Sequence, residues 1–282
     1  MRDRKLLAFY GLKYNPFLPN VPVDDLWRPP GVESFLFRVE NLVMDGGFGL
    51  ITGESGLGKS KVLSLVAAQL SQIDGVVVGV IERPSSGLSD FYRELGHLFG
   101  IGLSPANRYG SFTALRDKWR QHIKSVLFRP VLLIDEAQET AAQTLNELRI
   151  LGTERFDSEH LLTVVLCGDQ RLPEGFRTPE LVPLGTRIRT RLVLKPLVPS
   201  ELRALLDHLV DRAGAPQLCT SGLRDVLVDH AAGNPRVLCN TAAELLDAAA
   251  QRQKPVLDEA LFLDVFDRTP KKARRQTEGA RQ

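Results

Sequence analysis

The sequence predicts an α/β fold, a mostly parallel sheet flanked by helices, followed by a small helical domain. Three observations predict it. Short aliphatic runs recur at Gly49 to Thr52, Val76 to Ile81, Val131 to Ile134, Leu161 to Leu166 and Arg191 to Leu194, each bounded by Gly, Pro or charge, as expected of strands buried on both faces. Segments of helical spacing separate them: Val62, Leu63, Val66 and Leu70 share one face, as do Leu145, Leu148 and Leu151, while Leu115, Trp119, Ile123 and Val126 repeat within Phe112 to Phe128. After Pro199 the strand-like runs stop and only helical patterns follow.

The chain has 282 residues, 43% of them hydrophobic and 25% charged, which is enough to bury a large core and excludes a disordered chain. The stretch to Pro30, rich in Pro, Asn and aromatics, reads as an irregular segment laid over a domain. Residues 1–45 are expected to form an N-terminal arm and first helix packed on the core, 46–198 the core, 199–267 a helical lid and 268–282 a basic, disordered tail. In the lid, Ser200 is placed to cap a helix ended by Gly214, and Pro235 suits the first turn of a helix over Val237 to Ala250.

No run reaches the roughly 18 apolar residues of a membrane helix, and the charged N-terminus does not resemble a signal peptide, so a soluble, cytoplasmic protein is expected. Cys167, Cys219 and Cys239 lack C-x-x-C spacing and read as small core residues. The formal charge of +2 conceals an asymmetry: the segment from Arg268 onward carries a local +5, which leaves −3 for the preceding residues.

The first strand runs into Gly53-Glu54-Ser55-Gly56-Leu57-Gly58-Lys59-Ser60, followed by Lys61 and a helical pattern. This is G-x-x-x-x-G-K-[ST] in strand-loop-helix context. Glycines let successive N–H groups and a helix N-terminus face phosphates, Lys59 adds a positive charge at the β and γ groups, and the Ser60 hydroxyl is a ligand for Mg²⁺. The run Val131-Leu132-Leu133-Ile134-Asp135-Glu136 places two acids at the C-terminal edge of the sheet, Asp135 to hold hydrated Mg²⁺ and Glu136 to polarise the attacking water. ATP and Mg²⁺ are the expected ligands.

With Leu161 to Cys167 followed by Gly168-Asp169-Gln170, and with Gly233-Asn234-Pro235-Arg236, these segments resemble the Walker A, Walker B, sensor 1 and sensor 2 motifs of an AAA+ ATPase, in order along nearly the whole chain. The opening Tyr10-Gly11-Leu12-Lys13-Tyr14-Asn15-Pro16-Phe17 is similar to the ExeA-like branch, which groups a secretion-associated ATPase with transposition helpers of the TniB, TnsC, IstB and MuB kind. The resemblance implies that Arg236 is the sensor 2 arginine, that Tyr14, Asn15, Pro16 and Phe17 line the adenine pocket, and that Arg187 is an arginine finger acting on a neighbouring subunit, with Arg189 and Arg191 as alternatives. It therefore implies an oligomer, either a ring or a helical filament. Sensor 1 in the family carries a neutral polar side chain. Here Asp169 stands there, so either Gln170 serves or Asp169 faces elsewhere.

The secretion members resemble a longer design with a membrane helix after the lid, so the expectation here is a transposition helper that assembles on duplex DNA without sequence preference and engages a transposase. An assembly ATPase for a secretion apparatus, or an adaptor that binds ATP without hydrolysing it, is the alternative. In the resembling helpers the loops holding Arg83, Ser85 and Ser86, and Arg108, Tyr109 and Ser111, face a DNA channel. Their cations and hydroxyls suit phosphate contacts, and they equally suit solvated turns. The basic tail either attracts DNA nonspecifically or solubilises the end of the chain.

Overall fold

The computed structural model describes residues 2–84, 87–104, 107–156 and 158–266. In chain order the elements are α1 (Arg2–Tyr10), α2 (Val32–Asp45), β1 (Gly47–Thr52), α3 (Lys59–Leu70), β2 (Val78–Ile81), α4 (Leu88–Leu98), α5 (Arg108–Val126), β3 (Val131–Ile134), α6 (Ala142–Leu151), β4 (Thr153–Glu154), β5 (Glu159–His160), β6 (Thr163–Gly168), α7 (Arg171–Gly175), α8 (Val182–Gly185), β7 (Ile188–Val193), α9 (Pro199–Arg212), α10 (Ser221–Ala231), α11 (Pro235–Gln251) and α12 (Glu259–Phe266). They divide into two compact units, Pro22–Leu197 and the combination of Met1–Val21 with Val198–Gln282.

In the larger unit all five expected strands form one sheet in the order β2-β3-β6-β1-β7, every neighbouring pair parallel. Side chains alternate across it because the strand period is two. Leu132, Ile134, Val164, Leu166, Phe48 and Leu50 face a layer containing α4, α5 and α6, packed through Phe91, Leu95, Leu115, Trp119, Leu145 and Leu148. Val131, Leu133, Val165, Cys167 and Ile51 face the opposite layer, where α2 and α3 supply Phe35, Val39, Val62 and Val66. The helical faces expected around Val62 to Leu70 and Leu145 to Leu151 are buried. A two-stranded antiparallel hairpin, β4 with β5, was not expected from the pattern; its strands are two residues each, and Arg155 and Phe156 at its tip both have positive φ.

One charged cluster ties the first layer together. Glu147 on α6 is 4% exposed, accepts from the Tyr92 hydroxyl on α4 at 2.5 Å and from Arg108 Nε at the start of α5 at 2.9 Å, with a second bond from the same guanidinium. Burial on its own would raise the Glu147 carboxyl, but the bonds from Arg108 and Tyr92 outweigh it and hold it below the usual carboxylate range.

In the helical unit the N-terminal residues depart from the expectation in two ways. Arg2–Tyr10 is a helix, because Arg, Lys, Leu and Ala are good helix formers and the Pro- and Asn-rich stretch begins only beyond it. Met1–Val21 also groups with the helices after Val198, not with the sheet. The Tyr10 hydroxyl donates to the Lys254 carbonyl at 2.8 Å and the Lys13 amide to the Ala213 carbonyl at 2.9 Å. Val198, not Ser200, caps α9: Pro199 takes the first turn and the Glu201 carboxylate accepts from the Val198 amide at 3.0 Å. Gly214 follows α9 with φ +91°, and Asn234 caps α11 by accepting from the Arg236 and Val237 amides. Cys167 and Cys219 are buried and Cys239 half-buried. The expected tail lies outside the described residues.

The Glu147 cluster makes stability depend on pH in a defined sense. A carboxyl whose folded pKa lies below its unfolded value, about 4.3, stabilises the fold above that value and loses its contribution as pH falls through the folded one. Glu147→Ala, which leaves the buried Tyr92 hydroxyl unpaired, should cost about 1–3 kcal/mol in urea unfolding at neutral pH, and the difference from wild type should shrink on acidification. A difference independent of pH would show that Glu147 acts through packing alone.

Candidate nucleotide site

The register of three central strands builds the site. Thr52 pairs with Gly168 and Ile134 with Leu166, so β6 and β1 end side by side, β3 stops two residues earlier, and the chain leaving each one emerges at the same edge of the sheet. At about 4.8 Å per strand, the loop after β1 begins roughly 10 Å from the acids after β3. Ligands bind at this edge of parallel sheets because the helix N-termini point there.

The loop Gly53–Gly58 can take its path only with glycine at particular positions. A Cβ at Gly53 would lie 2.9 Å from both Cβ and the carbonyl oxygen of Leu194, which passes beside it after donating its amide to Thr52 at 2.7 Å. Gly56 and Gly58 have φ of +87° and +92°, in the left-handed region that side chains disfavour. Gly58 also caps α3 and has no side chain to occupy the first-turn N–H groups, which leaves them for an anion. Lys59 is 8% exposed and donates through Nζ to the Glu54 carbonyl at 3.1 Å, so its ammonium folds back across the loop. Leu57 is buried, Ser60 is exposed and Lys61 is half-buried.

Asp135 follows a fully buried strand, and its amide donates to the Ile81 carbonyl at 2.9 Å, continuing the β2 pairing by one residue. One of its carboxylate oxygens accepts from the Glu136 amide at 2.9 Å. Burial, reinforced by the neighbouring Asp135 carboxylate, pushes the Cys167 thiol well above its ordinary pKa, so it stays protonated beside that acid. Ser60 and Asp135 offer a hydroxyl and a carboxylate, an all-oxygen donor set suited to Mg²⁺. Glu136 adopts φ 48° and ψ 40°, a left-handed conformation uncommon for a residue with a side chain, and its carboxylate is exposed. The Gln138 side-chain amide donates to Glu136 Oε2 at 2.5 Å.

Asp169 is paired with a cation. Arg171 Nε donates to its Oδ2 at 2.9 Å and the same guanidinium reaches Glu139 Oε1 at 2.7 Å. The hydrogen bond from Arg171 holds the Asp169 carboxyl below its ordinary range, and the ion pair offsets the negative charge that an unpaired aspartate would present to a phosphate. Gln170 is exposed at the start of α7. Sequence reasoning missed Arg171 and Gln138 because their roles arise from two loops brought together by the β3–β6 register, which no local spacing encodes.

The remaining candidates lie on other elements of the two units. The Arg187 guanidinium donates to the Pro183 carbonyl, Arg189 to Gly46 O at 3.4 Å and Arg191 to Gly185 O at 3.0 Å; the latter two occupy exposed alternating positions of β7. Arg236 lies exposed in the first turn of α11, and Asn15 accepts from the Phe17 amide at 3.0 Å, with Pro16 and Phe17 buried and Tyr14 half-buried. Of the expected DNA-facing residues, Arg83 is exposed and Tyr109 is 81% exposed. Arg108 is committed to Glu147. Ser111 is 2% exposed and donates to the Ser104 carbonyl at 3.0 Å, so it has no surface to give a phosphate; this corrects its expected placement. Ser85 and Ser86 lie outside the described residues. Among the described residues no helix is long and apolar enough to cross a membrane.

Comparison with known proteins agrees with this geometry. Residues 43–176 match a family model described as AAA domain. General secretion pathway protein A of Aeromonas hydrophila is 30% identical over 249 residues, which cover 86% of this chain and 45% of that protein, so the chain spans less than half of its relative. Similar solved structures include Drosophila ORC bound to DNA (18% identity, TM-score 0.69, 92% of this chain and 64% of that one). The Aeropyrum pernix ORC2 protein in ADPNP–ADP complexes (15%, TM-score 0.67, 90% and 71%) and domain III of the Thermotoga maritima replication initiation protein DnaA (17%, TM-score 0.60, 89% and 97%) are also similar. Five parallel strands between two helical layers, with a glycine-rich loop on the central edge, are the P-loop AAA+ fold, in agreement with the match of residues 43–176 to the AAA domain model.

Proposed function

We propose that this protein binds ATP with Mg²⁺ and hydrolyses it. The observation that carries the reading is the convergence of Gly53–Ser60, Asp135, Glu136 and the β6 terminus on one sheet edge. The loop amides and Lys59 cradle the β and γ phosphates, and Ser60 and Asp135 hold the metal, which when bound neutralises phosphate charge. Glu136 orients the attacking water and accepts its proton as the oxygen bonds to the γ-phosphorus and the bond to the β-phosphate oxygen breaks. Arg236 acts as sensor 2 and Arg187 as the finger supplied to a neighbouring subunit, so that hydrolysis depends on self-assembly into a ring or filament. Asn15, Pro16 and Phe17 contribute to adenine binding.

For the work done with that energy, we favour assembly on duplex DNA as a transposition regulator that engages a transposase. The exposed Arg83 and Tyr109 and the basic segment from Arg268 onward support it. A second reading, an assembly ATPase of a secretion apparatus, is favoured by the 30% identity to General secretion pathway protein A.

ATP turnover and fluorescence anisotropy with a labelled duplex, each measured with and without the other ligand, separate these readings. Salt-sensitive duplex binding that is strengthened by ATP supports the first, and turnover without any such binding removes it in favour of the second. Lys59→Ala should abolish nucleotide binding. Glu136→Gln should keep ATP bound while lowering turnover at least about 100-fold; equal turnover by wild type and Glu136→Gln would remove Glu136 from its role.

A further inference from the structure

Gln138 occupies a position that the motifs leave without a task. Its side-chain amide joins the two loops of the site: Nε2 donates to Glu136 Oε2 at 2.5 Å, and Oε1 accepts from the Asp169 backbone amide at 3.1 Å. A second observation shows that the fold makes room for this bridge. Gly168, the last residue of β6, has an ordinary backbone conformation, yet a Cβ there would stand 2.5 Å from Gln138 Oε1. Glycine at 168 is thus explained by the approach of the Gln138 amide and of Leu172, not by backbone torsion.

We propose that Gln138 is a positioning residue for Glu136, fixing the carboxylate's direction by reference to the end of the sensor 1 strand. Glu136 is exposed and has three side-chain torsions, so without a partner its carboxylate would sample many directions, few of them useful for orienting water. The Asp169 amide directly follows β6, whose last residue Gly168 is paired with Thr52, and the Asp169 side chain is bridged by Arg171 to Glu139. Gln138 transfers that anchorage to Glu136. A displacement of the Asp169 loop then reaches the catalytic acid through one side chain. The inference rests on the proposed ATP hydrolysis.

Steady-state turnover and the affinity for a fluorescent ATP analogue, measured on the full chain, test it. Gln138→Ala should lower kcat by about 10-fold to 100-fold, the cost of a misdirected base, with nucleotide affinity and KM changed by less than about threefold, because the phosphate cradle is untouched. Gln138→Glu, which keeps an acceptor for the Asp169 amide but turns a carboxylate toward Glu136, should lose at least as much. Gly168→Ala should reproduce the loss by displacing Gln138. Turnover by Gln138→Ala within about twofold of wild type would overturn the positioning role while leaving the ATPase reading in place. A wild-type chain that binds ATP without turnover would overturn the ATPase reading, and this inference with it.

Discussion

The site depends on one constraint, the parallel pairing of β3, β6 and β1 in a register that brings all three to the same edge of the sheet. Parallel strands buried on both faces cannot slip without carrying aliphatic side chains out of both helical layers, so the pairing is fixed by the whole core and not by the site itself. Polar groups with opposed tasks are thereby assembled by the core, not by their own attraction. The phosphate loop, two acids and a strand terminus need only leave their strands in the ordinary direction. The Leu194 carbonyl against Gly53 shows how closely the neighbouring β7 segment confines that exit.

Charge around the site is arranged so that each acid has a different answer to its own repulsion. Asp169 is neutralised by Arg171, Asp135 accepts a backbone amide, and Glu136 accepts a side-chain amide, so an anionic ligand meets a less negative surface than the composition suggests. Away from the site, Glu147 uses the same means for a structural end, drawing on Arg108 and Tyr92 to tie three helices across one face of the sheet. A basic residue near a loop therefore cannot be assigned to a nucleic-acid partner from its type alone. Arg108 keeps a largely exposed side chain but spends its guanidinium on the buried Glu147, whereas Tyr109 beside it is open to solvent.

Much of the architecture is legible in the residues because it rests on local signals. Aliphatic runs marked all five strands, and helical spacing marked the faces of α3 and α6. The phosphate loop and the Asp135–Glu136 pair were legible because their chemistry is contiguous in sequence. What could not be read was contact between distant segments. Gln138 lies 31 residues from Asp169 and meets it only through strand register; Ser111 looked available on a polar stretch but turns inward to Ser104, seven residues earlier. The hairpin of β4 and β5 escaped notice because two-residue strands carry no periodicity.

The left-handed backbone at Glu136 has an evolutionary consequence. A residue with a side chain at φ 48° and ψ 40° costs on the order of 1 kcal/mol relative to glycine. The position is thus under two opposed pressures, backbone comfort favouring glycine and the hydrolytic role proposed above favouring a carboxylate. Under that proposal, laboratory selection for expression or heat resistance alone, with no demand for turnover, would drift toward Glu136→Gly and yield sturdier, inert chains. Stability-guided redesign of this protein would have to hold position 136 fixed by hand, since the fold itself argues against the residue found there.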